Sequence, residues 1–153
     1  MNEFNLYSAS LFKGVDRVYI DEFLSCCDVV DVSSGDFLFH QDEIGDAMYI
    51  IERGSLQVIL DYDVANPKGK QILGTLNRGS LIGELCVFGQ QKRSASICAQ
   101  VDSRLLKIEG EDFRVRIYSK DLDALLICYN IAKLLSERLM STNALLSVQP
   151  SAI

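Results

Sequence analysis

The stretch Gly79–Ser96 brings together residue types that could hold a small phosphate ester. It contains three glycines, the carboxylate of Glu84 and the guanidinium of Arg93 around the short apolar run 85–88. Because Gly83 has no Cβ, its backbone can adopt angles that other residues avoid and can let a ligand approach the main chain closely. A helical turn that begins directly after it would direct unpaired N–H groups toward an anion. The stretch therefore predicts an anion pocket.

Arg93 and Glu84 would bind different parts of a ligand in such a pocket. A planar guanidinium can donate to two phosphate oxygens at once, whereas a carboxylate can accept hydrogen bonds from adjacent sugar hydroxyls. We expect Gly89 to end the helical turn and Gln90–Lys92 to form a polar excursion before Arg93. Either charged residue alone is more often a solvated surface charge, so it is their combination that indicates a nucleotide.

The run Gly83–Ser96 resembles the phosphate-binding cassette of the cyclic nucleotide-binding domain family. Its Gly-Glu-Leu start, small residue, hydrophobic pair, variable loop and Arg-Ser-Ala-Ser ending match that cassette in register. The resemblance covers nearly the whole chain, is especially close to the sensor domain of bacterial catabolite activators, and rests elsewhere on Ser34–Asp36, Gln41, Gly45, Asp46, Tyr49–Ile51, Gly54, Gln71–Leu73, Leu76, Asn77 and Gly79. Many members carry glycine where this chain has Asp42, and we expect that departure to affect the local turn and not the pocket.

The resemblance implies a role for each cassette residue. Glu84 would bind the ribose 2′-hydroxyl, while Arg93 and Ser94 would bind the cyclic phosphate. The backbone amides of Gly83–Cys86 would complete the cradle. The other residues that it places around the ligand are Leu85 and Ala95 in the cassette, Val58, Leu73 and Leu76 as an apolar wall beside the base, and Thr142 and Asn143 on the last helix. Asn143 could pair with an adenine edge, and the wall residues are equally well explained as barrel core. Ser94 is compatible with cyclic AMP and cyclic GMP, of which we expect cyclic AMP.

Composition indicates an ordinary globular chain, with 48% hydrophobic and 24% charged residues in 153 residues. This length fits a single domain over residues 1–153. The net charge of −6 argues against a general affinity for nucleic acid or for an anionic membrane, because both require a basic face. No apolar run is long enough to span a membrane, and the N-terminus lacks the features of a secretory signal. Five cysteines without Cys-x-x-Cys spacing predict neither disulfides nor a zinc site, so we expect a reduced cytoplasmic setting. The resemblance to bacterial catabolite activators implies a bacterial protein.

Hydrophobic periodicity divides the chain into three segments. Residues 1–27 favour a short helical segment that breaks near Gly14. Residues 28–109 carry short runs rich in Val, Ile, Leu and Tyr separated by glycine, a pattern typical of a sandwich or barrel. Residues 110–149 return to helical spacing. We therefore expect a mainly β fold with flanking helices: an eight-strand jelly-roll barrel of the double-stranded β-helix type, with a hairpin loop at Asp61–Lys70.

The last helix is expected to be long, because neither Gly nor Pro occurs from Asp121 to Gln149, and Asp121 is a suitable N-cap. Its apolar seam could pack on the barrel, on a partner helix or on both, and consists of Leu122, Leu125, Tyr129, Ala132, Leu135, Leu139, Thr142 and Leu146. The resemblance implies that this helix closes over the purine. Ligand binding would then shift the helix and report occupancy to an unknown downstream protein, with a homodimer through this helix as one arrangement.

The sequence gives little support for catalysis. A jelly-roll metalloenzyme needs two or three histidine ligands, whereas His40 is the single histidine and no nucleophile motif accompanies it. Adjacent Cys26 and Cys27 have the wrong spacing for an iron-sulfur cluster. We therefore expect no enzyme activity, no metal and no cofactor, with a cyclic nucleotide as the ligand.

The alternative is a ligand-free interaction or dimerisation module of the same fold. The presence of both Glu84 and Arg93 argues against it, because leaving a buried polar group unpaired costs about 1–3 kcal/mol. No output module is recognisable before Ile153, and the leading Met1 favours a stand-alone sensor over a piece of a longer protein.

Overall fold

The glycine-punctuated segment folds as antiparallel strands in the computed structural model, which describes residues 5–61 and 69–147. Alternation of inward and outward side chains drives each strand to bury one face. The strands are β1 Asp28–Val32, β2 Phe37–Phe39, β3 Ile44–Gly45, β4 Ala47–Arg53, β5 Ser55–Asp61, β6 Lys70–Asn77, β7 Leu81–Ile82, β8 Gln91–Lys92, β9 Ser96–Ala99 and β10 Ser103–Glu109.

Two four-stranded sheets form the barrel, in the orders β1-β10-β4-β7 and β2-β9-β5-β6. These eight strands and the flanking helices confirm the predicted jelly-roll class. A separate two-stranded pair, β3 with β8, was not predicted. It joins Ile44 to Lys92 and Gly45 to Gln91, so the segment expected as a polar excursion is in part a strand. The consequence is that the chain after β3 lies beside the cassette.

Side chains from both sheets meet inside the barrel. Ile51, Leu56 and Leu105 have no exposed surface, and Ile82 and Ile97 are 3% and 4% exposed. Burial of each such side chain contributes about 1.5–3 kcal/mol. The barrel is therefore a filled core, and a ligand must bind at its edge.

The helical segments cover the outer face of the β1-β10-β4-β7 sheet. They are two 3-10 helices at Leu6–Ser8 and Ser10–Phe12, then α1 Arg17–Ser25, α2 Gly110–Tyr118 and α3 Leu122–Ser147. Met48 and Ile50 of β4 pack against Phe12, Phe23 and Phe113 of these helices. The predicted break in the N-terminal segment is confirmed, because Gly14 adopts a φ of 78°.

The long helix α3 begins after its predicted cap. The Asp121 carboxylate accepts hydrogen bonds from the N–H groups of Asp123 and Ala124, at 3.0 and 3.3 Å. The face of α3 that packs on the fold is formed by Ala124, Ile127 and Ile131, each at most 2% exposed. Most of the predicted seam lies on another face, where the exposed fractions are 81% for Leu122, 39% for Leu125, 65% for Tyr129 and 62% for Leu139. Leu135 of that seam instead packs against the core.

Some predictions fall outside the described residues. These are most of the hairpin loop, residues 62–68, and the predicted end of the last helix at residues 148–149. Within the described ranges, none of the helices combines the length and the apolar character needed to cross a bilayer.

Candidate functional site

The cassette begins with a short 3-10 helix, Glu84–Phe88, which we call the cassette turn. Gly83 precedes it with a φ of 75°, and Gly89 ends it with a φ of 116°. Both values lie in the region that favours glycine. The Cys86 N–H already donates to the Gly83 carbonyl at 3.2 Å, so the amides left without a partner inside the turn are those of its first two residues. The predicted cradle consists of the four backbone amides of Gly83–Cys86, and fewer than four of them are therefore free to bind an anion.

Arg93 is held in a nearly buried position beside this turn. The residue is 8% exposed, and its guanidinium carbon lies 4.3 Å from the centroid of the Phe39 ring. Its N–H donates to the Glu43 carbonyl, and its own carbonyl accepts from the Asp42 N–H, both at 2.8 Å. Asp42 adopts a φ of 70°, so the turn forms with aspartate at this position. The main chain around Arg93 is thus fixed from both sides.

Two glycines leave the space that the guanidinium occupies. A Cβ at Gly45 would overlap the Nε and Nη2 atoms of Arg93. A Cβ at Gly83 would lie 2.5 Å from Arg93 Nη1 and 2.8 Å from the carbonyl oxygen of Ala47. Both distances are well below van der Waals contact. The pairing of β3 with β8 matters for this reason, because it brings Gly45 against the arginine.

Within residues 5–61 and 69–147, the Arg93 guanidinium has no ion-pair partner. Among the residues that the structure describes, it makes neither an ion pair nor a hydrogen bond. A largely buried charge without an ion-pair partner is unfavourable unless an anion joins it. The site is therefore suited to an anionic ligand group.

Glu84 is paired with an arginine from α3. Its side chain is 12% exposed, and Oε1 accepts a charge-assisted hydrogen bond from Nη1 of Arg138. Nη2 of Arg138 donates to the Leu81 carbonyl at 3.4 Å. The carboxylate that the sequence assigns to sugar hydroxyls is thus also the point where the long helix contacts the cassette turn.

A cleft of about 130 Å³, the cassette cleft, opens between the cassette turn, Arg93 and α3. It brings together nine of the predicted site residues: Val58, Leu76, Gly83, Glu84, Leu85, Cys86, Arg93, Ser94 and Ala95. A second cleft of about 530 Å³, the helix cleft, lies between the β5-β6 hairpin and α3. Its predicted members are Val58, Leu73, Leu76 and Thr142. Val58, Leu76 and Arg138 line both clefts, so the two are adjacent.

Thr142 and Asn143 are placed differently from each other. The Thr142 hydroxyl lines the helix cleft and donates to the Arg138 carbonyl at 3.0 Å, so only its lone pairs remain for a ligand. Asn143 is exposed and lines neither cleft. Leu73 faces the helix cleft with 53% of its surface exposed, which makes it a wall residue and not barrel core.

A further ion pair supports the cassette turn from α2. Arg114 donates to both carboxylate oxygens of Asp46, at 2.7 and 2.8 Å, and to the carbonyl of Cys86. The pKa of the Asp46 carboxyl is lowered, first by its hydrogen bonds to Arg114 and then by the nearby charges of Arg114 and Arg93. Burial raises the pKa of the Cys86 thiol to about 11, so this thiol is protonated at neutral pH.

Sequence reasoning missed Phe39, Arg114 and Arg138. Only Arg138 carried a readable signal, because it precedes Thr142 by four residues and therefore shares its helix face. The roles of Phe39 and Arg114 depend on strand pairing and helix docking, which local spacing does not report.

The fold and the paired clefts define a binding module of the jelly-roll class. A family profile described as "Cyclic nucleotide-binding domain" matches residues 29–118. The chain is 34% identical over 113 residues to cyclic nucleotide-gated channel beta-1 of Homo sapiens. The aligned region is 71% of this chain and 9% of the channel subunit. The chain belongs to the cyclic nucleotide-binding domain family.

Two bacterial proteins are also similar. The cAMP-activated global transcriptional regulator CRP of Salmonella typhimurium is 35% identical over 97 residues, 62% of this chain and 44% of that protein. The crystal structure of the Thermus thermophilus catabolite activator protein superposes with a TM-score of 0.80 at 27% identity, covering 91% of this chain and 62% of that one. The chain spans less than half the length of the curated relatives named here.

Proposed function

We propose that this domain binds a cyclic nucleotide in the cassette cleft, with the cyclic phosphate on Arg93 and Ser94 and a ribose hydroxyl on Glu84. The observation that carries the proposal is the Arg93 guanidinium. It is 8% exposed and has no ion pair or hydrogen bond within the described residues. The protein maintains this arrangement with two glycines and an aromatic ring. A bound phosphate would supply the missing counter-charge.

The base would lie in the helix cleft. Val58 and Leu76 line both clefts, so a ligand anchored at Arg93 reaches the helix cleft along a continuous apolar wall. Thr142 lines the same space, and its hydroxyl can act there as an acceptor because it donates its proton to the backbone carbonyl of Arg138. We expect the C6 edge of the base to face this acceptor. Adenine presents an amino group there, whereas guanine presents a carbonyl oxygen and carries its amino group at C2, so cyclic AMP should bind more tightly than cyclic GMP.

The test is calorimetric titration with each nucleotide. We expect cyclic AMP to bind the wild-type chain, and Arg93→Ala to weaken binding by about 2–5 kcal/mol, as for other buried charge pairs. Arg93→Lys keeps the charge and should recover only part of the loss, since an ammonium cannot donate in a planar fork. The matched control is Arg104→Ala, because Arg104 pairs with the exposed Asp31.

Either result decides between two functions of this fold. Binding that Arg93→Ala loses and Arg104→Ala keeps establishes the nucleotide sensor. No heat and no thermal shift with either nucleotide would favour the alternative, a ligand-free interaction or dimerisation module. In that case Arg93→Ala should raise the stability of the chain, because an uncompensated charge would be removed.

Occupancy would be reported through α3. Glu84 is the proposed ribose acceptor, and it already bonds Arg138 of that helix. A ribose hydroxyl at Glu84 changes what Arg138 contacts, so the ligand would bias the position of α3 between two states.

All five cysteines are free and lie in the described residues, which supports a reducing compartment for this sensor.

The output surface would be the exposed stripe on α3. Leu122, Leu125, Tyr129 and Leu139 alternate at three and four residues with Ala132 and Ser136 between them, the spacing of a two-helix seam. We infer that a second copy of the chain packs on it. Sedimentation equilibrium should give a dimer for wild type and a monomer for Leu125→Glu, and a wild-type monomer would leave the stripe to a different downstream protein.

A further inference from the structure

The start of α2 is built against the loop that follows β3. The Gly110 N–H donates to the Asp46 carbonyl at 2.8 Å. A Cβ at Gly110 would lie 3.0 Å from that carbonyl oxygen and 2.8 Å from Arg114 Nη1, and would overlap the Asp46 carboxylate. Glycine therefore lets α2 approach this loop closely, without an intervening side chain.

One turn later, Arg114 connects three parts of the molecule. It lies on α2, donates through both terminal nitrogens to Asp46, and donates through one of them to the Cys86 carbonyl in the cassette turn. The two side chains are only 21% and 23% exposed, so solvent screens the pair less than a surface pair. The bidentate pair with Asp46 holds the Arg114 guanidinium in place. A displacement of the cassette turn would therefore move the Cys86 carbonyl relative to a fixed donor.

The chain just before Asp46 also lies against Arg93, the residue that we propose binds the phosphate. Gly45, next to Asp46, leaves the space for the Arg93 guanidinium, and the Arg93 charge helps to lower the pKa of the Asp46 carboxyl. Asp46 thus lies between two arginines, one facing the cassette cleft and one on α2. An anion that neutralises Arg93 changes the balance of charge on Asp46 and, through it, on Arg114.

We propose that Arg114 is a positioning residue that couples the cassette turn to α2, so that nucleotide binding is transmitted to α2 separately from the Glu84 contact to α3. This inference rests on the proposed function. It predicts that loss of Arg114 separates two properties, leaving nucleotide affinity largely intact while α2 no longer responds to the ligand.

The experiment combines calorimetry with hydrogen-exchange mass spectrometry of peptides covering residues 83–96 and 110–118, with and without a saturating amount of whichever of cyclic AMP and cyclic GMP binds more tightly. Wild type and Arg104→Gln, which breaks an exposed bidentate pair with Asp31, should show ligand-dependent exchange in both segments. Arg114→Gln should bind within about tenfold of wild type and keep the response at 83–96, but lose it at 110–118.

Asp46→Asn is the second variant, because it keeps Arg114 and its bond to Cys86 and is expected to retain a reduced response at 110–118. An unchanged α2 response in Arg114→Gln overturns the inference. A loss of binding as large as that of Arg93→Ala would also overturn it, since Arg114 would then be needed to hold the binding site together and would not act as a separate coupling to α2. If wild type binds neither nucleotide, the proposed function fails, and this failure is visible in the titration before any exchange is measured.

Discussion

The glycines around Arg93 allow the cost of strain and the cost of collision to be measured separately. Gly83 combines a φ of 75° with a Cβ position that collides with Arg93 and Ala47. Gly35 has a similar φ of 86° but nothing within 4 Å of its Cβ position. Gly45 has no left-handed φ, and the three atoms nearest its Cβ position all belong to the Arg93 side chain. Alanine at these three positions therefore tests strain with collision, strain alone and collision alone.

The expected magnitudes differ between stability and affinity. A left-handed alanine costs about 1–2 kcal/mol, so Gly35→Ala should lower the free energy of unfolding by roughly that amount and leave nucleotide binding unchanged. Gly83→Ala adds overlap with a backbone oxygen, which costs about 1–3 kcal/mol more. Gly45→Ala should cost less stability than either, because the long arginine side chain can move away.

Nucleotide affinity should follow the position of the guanidinium. Displacing Arg93 removes charge-assisted hydrogen bonds that contribute about 1.5–3 kcal/mol, so Gly45→Ala and Gly83→Ala should bind roughly 10- to 150-fold more weakly. Urea denaturation gives the stabilities and calorimetric titration gives the affinities. A Gly45→Ala variant that binds within about twofold of wild type would refute the reasoning, because it would show that the guanidinium need not occupy the gap between the two glycines.

Three further outcomes follow from single residues. Asp42→Gly should raise the free energy of unfolding by up to about 1 kcal/mol in urea denaturation, because it removes the strain of a left-handed aspartate at φ 70°; an equal loss would show that its side chain matters more. Arg114 lowers the pKa of Asp46 in the folded chain, so their pair stabilises the fold above the ordinary carboxyl pKa of 3.8, and this contribution is lost as the pH falls through the folded-state pKa. Asp46→Asn should therefore show a shallower loss of stability on acidification in pH-dependent denaturation, and an unchanged slope would contradict the pairing. Cys86, with its pKa raised to about 11, should be alkylated by iodoacetamide at pH 8 far more slowly than the exposed Cys26, as mass spectrometry would show.

Features that depend on local chemistry were predictable from the sequence. Asp121 caps α3, Gly89 ends the cassette turn and Gly14 breaks the N-terminal segment, because each needs only a short-range hydrogen bond or a positive φ. The mainly β fold with flanking helices was also predictable, since glycine spacing and periodicity act over long stretches.

Features that depend on packing were not predictable. β3 and β8 have two residues each, too few for any periodicity, yet their pairing puts Gly45 against Arg93. In α3, apolar residues occur on more than one face, so spacing alone could not select the buried face of Ala124, Ile127 and Ile131. The spacing of Arg138 from Thr142 places both on one face of α3, but only the docking of the helix brings Arg138 to Glu84.

The Arg138 contact decides whether α3 is held by the cassette or only lies beside it. If the pair with Glu84 holds the helix, Arg138→Gln and Glu84→Gln should each increase amide exchange over residues 134–144 in the absence of nucleotide, and the double variant should exchange no faster than either one. The coupling should be on the order of 1 kcal/mol or less, because the Arg138 side chain is 47% exposed. Lys133→Gln, which removes a positive charge from the same helix away from the cassette cleft, is the control. Additive effects of the two single variants would mean that each side chain acts on α3 independently. The ligand would then have to reach the helix through the base, in the helix cleft, and not through the sugar.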